Sequence, residues 1–258
     1  MIGGGEESRR RIDGVLFDYG ETLVEFSRPN AALAEAERRI LAFLAAAGAE
    51  SPGRPAPSAA TVGAVFDRID REVDAHQRSG VLEEMDLTAA SLRAYADAGL
   101  VLDEGMLDEV LRIEQEAWWR GAHVDPDAVP LLELLRGRGI RVGLCSNAPY
   151  RVQSLRAQLD FLGLDIHLDA VTFSAEVGWR KPSARIFEAA MRALGTVAVR
   201  TVMVGDSETA DVAGAHAAGM RAVLLSRSGD TESSKADAVI AALPELPGAL
   251  RNMGIYLD

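Results

Sequence analysis

Two patterns of hydrophobic and polar residues divide the chain. A short apolar run at 14–17 (GVLF) predicts a buried strand near the start. From residue 30 to about residue 121, apolar side chains recur with helical spacing, which predicts amphipathic helices over 31–47, 62–78, 88–98 and 107–120. Breaks rich in Pro, Gly and Ser, such as SPGRP at 51–55, separate these helices. No convincing strand pattern occurs in this part of the sequence, so we expect it to be all-helical.

From residue 126 onward, short apolar runs alternate with helical patterns. The runs predict strands over 141–145, 170–173, 202–204, 222–225 and 238–240. The intervening patterns predict helices over 129–138, 151–162, 183–194, 209–218 and 246–251. Such alternation is typical of βαβ units. The expected fold is therefore α/β, a doubly wound parallel sheet interrupted after its first strand by an all-helical insertion.

The composition favours a soluble globular protein. The chain has 258 residues, of which 48% are hydrophobic and 26% charged, enough for one large α/β domain or for a core with a smaller inserted domain. No apolar stretch approaches the roughly 20 residues that span a membrane, so we expect no membrane partner. Residues 1–11 are Gly-rich and charged without an apolar core, unlike a secretory signal, and we expect residues 1–10 to be flexible.

Charge and cysteine content narrow the partners and the compartment. The formal net charge of −12 argues against nucleic acid, whose binding needs basic patches, but it does not exclude a small phosphorylated substrate. Cys145 is the only cysteine of the sequence, which excludes an internal disulfide bond and a cysteine-based metal cluster. Its apolar surroundings predict a buried, inert thiol, and a cytoplasmic location follows as the default.

Four polar motifs lie at the ends of predicted strands or in the loops after them. Asp18 follows the first apolar run and opens the string DYGETL at 18–23. SN at 146–147, KP at 181–182 and GDSETAD at 205–211 follow later in the chain. Open parallel sheets bind ligands beyond the carboxyl ends of their strands, near the point where the strand order reverses. We therefore expect these motifs to converge on one site.

In their order and context, these motifs resemble those of the haloacid dehalogenase superfamily, a group of aspartate-nucleophile hydrolases. The similarity extends from residue 13 to about residue 246, although the helical insertion matches only in position and helicity. The resemblance implies a Rossmann-like core at 11–27 plus 122–258. It also implies a helical cap at 28–121, of the kind that closes over the site and selects the substrate.

The resemblance gives each motif residue an expected role. Asp18 would be the nucleophile, because a carboxylate can attack phosphorus or carbon and form a covalent intermediate. Ser146 and Asn147 would bind the substrate phosphate, and Lys181 would neutralise the nucleophile and the phosphoryl group as a point charge. Arg180 beside it is expected at the surface rather than in the catalytic machinery.

The same resemblance implies a bound Mg²⁺ ion. In the similar phosphatases the metal is held by the nucleophile and the first acid of the last motif, here Asp18 and Asp206. A main-chain carbonyl oxygen at the position of Gly20 is the third protein ligand, and Asp211 acts through a water. Hard oxygen ligands and retained waters suit Mg²⁺. The plainer alternative is that Asp206 and Asp211 merely favour a helix start electrostatically.

Gly20 departs from the phosphatase pattern. Phosphatases of this superfamily carry a second Asp two residues after the nucleophile, where it protonates the leaving oxygen and later activates water. Losing a general acid–base group typically costs about 10²- to 10⁴-fold in rate. Glu21 is adjacent and ionisable, which makes it a candidate acid/base in its place.

Three interpretations remain open. The leading one is a Mg²⁺-dependent phosphatase of a small phosphorylated metabolite, working through an aspartyl-phosphate. A 2-haloacid dehalogenase-like hydrolase is the second, since those enzymes also lack the second Asp and attack carbon without metal. The metal-type loop at 205–207 opposes it, and Arg38 and Arg39 are only poor matches for a carboxylate-binding arginine. The third is a catalytically impaired phosphate-binding or regulatory module.

Overall fold

The structure is a computed structural model that describes residues 11–49, 56–227 and 234–257. The expected flexible segment 1–10 lies outside these residues. The chain forms two compact units. The first comprises the described parts of Met1–Phe26, His123–Ala148 and Leu162–Asp258, and the second comprises those of Ser27–Ala122 and Pro149–Phe161.

The first unit is built on a six-stranded sheet. In chain order the strands of the molecule are β1 Gly14–Phe17, β2 Val24–Phe26, β3 Ala122–Val124, β4 Arg141–Ser146, β5 Ala170–Phe173, β6 Thr201–Gly205, β7 Arg221–Leu225 and β8 Ala238–Ile240. The sheet has the order β5-β4-β1-β6-β7-β8, and each neighbouring pair runs parallel. The prediction of a doubly wound parallel sheet is confirmed.

The order of the strands fixes where ligands can bind. From β1 the chain moves outward to β4 and β5 and then returns to β6 on the other side of β1, so the order reverses between β1 and β6. Asp18 follows β1 directly, and Asp206 follows β6. Both residues therefore lie at the carboxyl edge of the sheet, at the switch point where open α/β sheets bind ligands.

Helices cover the sheet because their apolar faces match its buried strands. All four residues of β1 are buried. The helix Ala184–Leu194 packs on β4 and β5, begins at Ser183, which accepts a hydrogen bond from the Arg185 N–H, and ends at Gly195 in the left-handed conformation, at φ 68°. The other helices of this unit are Ala128–Gly137, Ser174–Val177, Gly214–Ala217 and Leu246–Asn252.

The second unit is helical, as the sequence predicts. Its helices are Asn30–Ala46, Ala59–Arg78, Leu87–Asp97, Glu104–Trp118 and Val152–Phe161. Ser58, Asp86 and Asp103 cap three of them by accepting a main-chain N–H with the side chain. One apolar cluster, which includes Ile40 and Phe66, fills the centre of the unit.

The units divide the chain differently from the predicted domains at 149–161. The sequence places these residues in the core, whereas the helix Val152–Phe161 groups with the helical unit because it contacts the helix Glu104–Trp118. Arg151 also pairs with Asp108 of that helix. The assignment of 28–121 as a cap that acts on a substrate remains a prediction.

Two local features differ from the sequence predictions. The strands β2 and β3 form a separate two-stranded sheet, which local patterns miss because its residues are far apart in the chain. The helix predicted over 209–218 begins as a π-helical turn, Glu208–Ala213, before the short α-helix Gly214–Ala217. Such wider turns occur mostly as single insertions in helices, frequently at functional sites. Across the described residues, each helix is too short or too polar to cross a membrane.

Candidate active site

Asp18 is held at the end of β1 by the main chain around it. Its N–H donates to the Val204 carbonyl oxygen of β6 at 2.9 Å. The next residue, Tyr19, accepts two hydrogen bonds through its carbonyl oxygen, from the N–H groups of Leu23 and Val24, both at 3.0 Å. These hydrogen bonds close the turn after Asp18 and fix the main-chain position from which its carboxylate extends.

Lys181 joins two of the predicted acids. Its Nζ atom lies 2.6 Å from Oδ1 of Asp18 and 2.6 Å from Oδ1 of Asp211. The Lys181 side chain is only 2% exposed. Burial by itself would lower the pKa of this ammonium group, but the attraction of Asp18 and Asp211 outweighs it and raises the pKa. Lys181 is thus a buried cation in direct contact with the candidate nucleophile.

Asn147 contacts the main chain of Lys181. Its Oδ1 atom accepts the Lys181 N–H at 2.6 Å, and its Nδ2 group donates to the Lys181 carbonyl oxygen at 3.1 Å. The sequence assigns Asn147 to the substrate, but both of these amide contacts serve to position Lys181. The spacing of the two residues in the sequence gives no indication of this contact, because it depends on the meeting of two distant loops.

Asp211 is anchored at both carboxylate oxygens. Oδ1 receives the Lys181 ammonium, and Oδ2 accepts the Ser207 N–H at 3.0 Å. Gly205 permits this approach, since a Cβ atom there would lie 2.8 Å from the Cβ of Asp211 and overlap its carboxylate. Burial raises the pKa of Asp211 to about 6, with repulsion from Asp18 adding to the shift and Lys181 opposing it. Asp211 is therefore a fixed buried charge.

A divalent cation fits the three acids of this site. Oxygen atoms of Asp18, Asp206 and Asp211 lie within 4.8 Å of one another. Asp206 is exposed as a residue, but the protein around its carboxyl group removes part of the water there, and this desolvation together with the charge of Asp18 raises the pKa of that group. A hard cation would relieve this crowding of negative charge, and carboxylate oxygens are ligands that Mg²⁺ accepts. Both carboxylate oxygens of Asp211 are occupied by Lys181 and Ser207, whereas Asp18 pairs with Lys181 through one oxygen, so Asp18 and Asp206 are the better candidates for direct ligands.

Gly20 and Glu21 lie in the turn that follows Asp18. No hydrogen bond of the described residues uses the carbonyl oxygen of Gly20, which leaves that atom available to a metal. Glu21 is exposed, and its main chain is in the left-handed region at φ 56°, which is uncommon outside glycine. The negative charge of Glu21 raises the pKa of Asp206, although by less than desolvation and the charge of Asp18 do.

Ser146 and Cys145 end the strand β4. Ser146 is 5% exposed and lies at the same carboxyl edge of the sheet as Asp18. Cys145 is fully buried, as predicted, and burial raises the pKa of its thiol to about 12, which disfavours the reactive thiolate.

Arg180 is not at the surface, and that prediction is wrong. The residue is 8% exposed, and its buried Nε and Nη1 atoms find no hydrogen-bond partner among the described residues. Next to a second charged residue, Lys181, the sequence pattern alone does not distinguish a buried from a solvated arginine.

Curated proteins with similar sequences include several phosphatases. The chain is 37% identical over 147 residues to phosphatase MT3486 of Mycobacterium tuberculosis, a match that covers 57% of this chain and 64% of that protein. It is 42% identical over 106 residues to the phosphoglycolate phosphatase of Rhodospirillum rubrum, covering 41% and 43%. The chain thus spans less than two thirds of the length of these relatives.

Solved structures with a similar fold cover almost the whole chain. A HAD phosphatase from Thermococcus onnurineus superposes with a TM-score of 0.62 at 27% identity, covering 93% of this chain and 98% of that one. A 2-haloacid dehalogenase from Pseudomonas syringae superposes with a TM-score of 0.63 at 26% identity, covering 93% and 99%. Fold similarity therefore extends to both reaction types.

The motifs, the sheet order and the site geometry agree with a direct family match. The model of the haloacid dehalogenase-like hydrolases matches residues 12–219, which is most of the chain. The protein therefore belongs to the haloacid dehalogenase-like hydrolases, and it is a hydrolase by family.

Proposed function

We propose that the protein is a Mg²⁺-dependent phosphatase of a small phosphorylated metabolite, with Asp18 as its nucleophile. The observation that carries this proposal is the contact of Lys181 with Asp18 at 2.6 Å, beside a cluster of three acids suited to a metal. Phosphoryl transfer depends on positioning and on positive charge around the transferred group. A lysine and a divalent cation together supply that charge.

In the proposed reaction, each residue has one task. The Asp18 carboxylate attacks phosphorus and forms an aspartyl-phosphate, which water then hydrolyses. Lys181 offsets the charge that develops on the phosphoryl oxygens. Ser146 donates its hydroxyl to one of those oxygens, and Asn147 holds the loop of Lys181.

The metal would be held by Asp18, Asp206 and the carbonyl oxygen of Gly20, and Asp211 would act through a water molecule. When bound, the ion supplies Lewis-acid stabilisation of the phosphoryl group. Loss of a side chain at Gly20 leaves the carbonyl ligand intact, because a main-chain oxygen does not depend on residue type.

The names of similar proteins support a phosphatase over other hydrolases. Besides the two phosphatases above, similar curated sequences include a glyceraldehyde 3-phosphate phosphatase of Methanothermobacter thermautotrophicus, 40% identical over 100 residues. The substrates named are small phosphorylated metabolites. The net charge of −12 also favours a small ligand over nucleic acid.

A 2-haloacid dehalogenase is the second candidate, favoured by Gly20 and by the structural similarity to the Pseudomonas syringae enzyme. Dehalogenation at carbon needs no metal cation, so it does not explain why Asp18, Asp206 and Asp211 lie close together. This clustering favours the phosphatase.

The test is a release assay for inorganic phosphate and for halide on a panel of small substrates. The panel includes phosphoglycolate, phosphoserine, a triose phosphate, acetyl phosphate and 2-chloropropionate, each with Mg²⁺ and with EDTA. The proposal expects phosphate release that needs Mg²⁺ and disappears in Asp18→Asn. Halide release that persists in EDTA would instead establish the dehalogenase, and no turnover of any compound would point to a binding module.

A further inference from the structure

The position of Gly20 opens onto an aromatic ring. A Cβ atom at Gly20 would lie 3.6 and 3.8 Å from two carbons of the Phe26 ring, and these are the contacts found within 4 Å among the described residues. Phe26 is 38% exposed, and its ring packs edge-on against Tyr19 at a centroid distance of 5.5 Å. The side of the nucleophile turn next to Gly20 is thus bounded by an apolar ring, at a distance that leaves room for a Cβ atom.

Two of the described charged side chains that approach Asp18, Lys181 and Asp211, are already engaged. Lys181 is shared between Asp18 and Asp211, and Asp211 also accepts the Ser207 N–H. Asp206 lies within the cluster suited to a metal. In the described turn, Glu21 is the acid nearest in sequence, but it is exposed to solvent. Among the described residues of this turn and of the ion-pair cluster, the groups next to the nucleophile are therefore arranged to carry charge rather than to deliver a proton.

A missing proton donor affects substrates unequally. An alkoxide leaving group is about as basic as hydroxide, whose conjugate acid has a pKa of about 15.7, so its departure depends strongly on protonation. A carboxylate leaving group has a conjugate acid of pKa about 4 and departs as a stable anion. The pKa of the leaving group therefore determines how fast this site can cleave a phosphoryl donor.

We propose that the site selects phosphoryl donors whose leaving group departs without a proton, acyl phosphates above all, over alkyl phosphomonoesters. This inference rests on the proposed phosphatase function. In the first step an Asp18 oxygen bonds to phosphorus while the bond from phosphorus to the bridging oxygen breaks, and that oxygen keeps the electron pair as a carboxylate. Water then attacks the aspartyl-phosphate, which restores the Asp18 carboxylate and releases inorganic phosphate, with the proton of the water passing to solvent or phosphate. The Phe26 ring provides an apolar contact for the carbon part of the leaving group.

The dependence of rate on leaving-group pKa tests this directly. A series of substituted aryl phosphates with leaving groups of pKa about 5 to 10 is compared with acetyl phosphate and 2-aminoethyl phosphate in the wild-type protein with Mg²⁺. We expect kcat/KM to fall steeply as the leaving group becomes more basic, with acetyl phosphate far above the alkyl ester. A flat plot in the wild-type protein would overturn the inference without any variant.

A gain of function provides the second arm. Because a Cβ atom at Gly20 meets only ordinary van der Waals contacts, Gly20→Asp should raise the rate with 2-aminoethyl phosphate relative to that with acetyl phosphate by about 10²-fold and flatten the plot. Gly20→Ala is the matched control, since it adds the Cβ atom without an acid, and its slope should stay that of the wild type. Equal slopes in Gly20→Asp and Gly20→Ala would contradict the inference.

Failure of the inference and failure of the proposed function have different outcomes. If no compound, acetyl phosphate included, is turned over in a manner that depends on Asp18, the phosphatase itself is wrong. If Asp18→Asn abolishes a turnover whose rate ignores leaving-group pKa, the phosphatase stands and only the substrate class is wrong.

Discussion

The side-chain amide of Asn147 holds the main chain of Lys181 on both sides, accepting its N–H at 2.6 Å and donating to its carbonyl oxygen at 3.1 Å. Lys181 in turn contacts Asp18 and Asp211. Asn147 thus acts on the candidate nucleophile through the lysine it positions, and an error in its geometry would move the cation away from Asp18.

Asn147→Ala should lower kcat about 10- to 100-fold, because small misplacements of a positioning group are costly in rate. The free energy of unfolding should also fall, by about 1–3 kcal/mol, because two buried main-chain groups lose their partner. Asn147→Asp keeps the acceptor for the Lys181 N–H but loses the donor, so it should lie between alanine and wild type in kcat. An alanine variant with unchanged kcat but raised KM would show instead that Asn147 serves to bind the substrate.

Lys181 should contribute separately to the free energy of unfolding and to the rate of phosphate release. Lys181→Met leaves Asp18 and Asp211 buried together without a cation, and removing one partner of a buried ion pair costs about 3–5 kcal/mol of stability. Neutralising one acid in Lys181→Met/Asp211→Asn should recover much of that loss in urea unfolding. Phosphate release should stay abolished in both variants, because the charge that faces the phosphoryl group is missing. Recovered activity in the double variant would contradict a catalytic role for Lys181.

How much of this site the sequence could predict depends on the range of each contact. Asp18 and Asp206 are predictable because each directly follows a short apolar strand, and the carboxyl ends of parallel strands meet at one edge. The clamp of Asn147 on Lys181 is not predictable, since it joins residues 34 apart through two irregular loops. The burial of Arg180 depends likewise on what packs over it. Local patterns thus place the strands and their ends, whereas loop-to-loop contacts require the folded chain.

Gly205 should tolerate no side chain. Its Cβ atom would lie 2.8 Å from the Cβ of Asp211 and overlap the carboxylate that pairs with Lys181. We expect Gly205→Ala to cost about 1–3 kcal/mol of stability, as overpacking does, and to lower activity by displacing Asp211. Gly248→Ala is the control, because that glycine lies in the helix Leu246–Asn252 with open space around it and alanine should stabilise the helix by about 0.5–1 kcal/mol. Thermal unfolding of both variants tests the contrast, and an equal effect would argue against a steric role of Gly205.

Glu114 should make the stability of the helical unit depend on pH. It lies in the helix Glu104–Trp118, is 6% exposed, and has a pKa raised to about 8 by burial, with repulsion from Asp70 adding and Arg28 opposing. Because the folded pKa lies above the unfolded value of 4.5, the folded protein holds the proton more tightly. The contribution of Glu114 to stability is therefore full below about pH 4.5 and is lost as the pH rises to about 8.

Glu114→Gln mimics the protonated acid and does not titrate. The stability gain of the variant over the wild type should therefore be small at pH 5, grow to about 2–5 kcal/mol by pH 8 and then level off. Urea unfolding of both proteins at pH 5, 6, 7 and 8 measures this difference. A constant difference across these values would mean that Glu114 is ionised in the folded protein throughout.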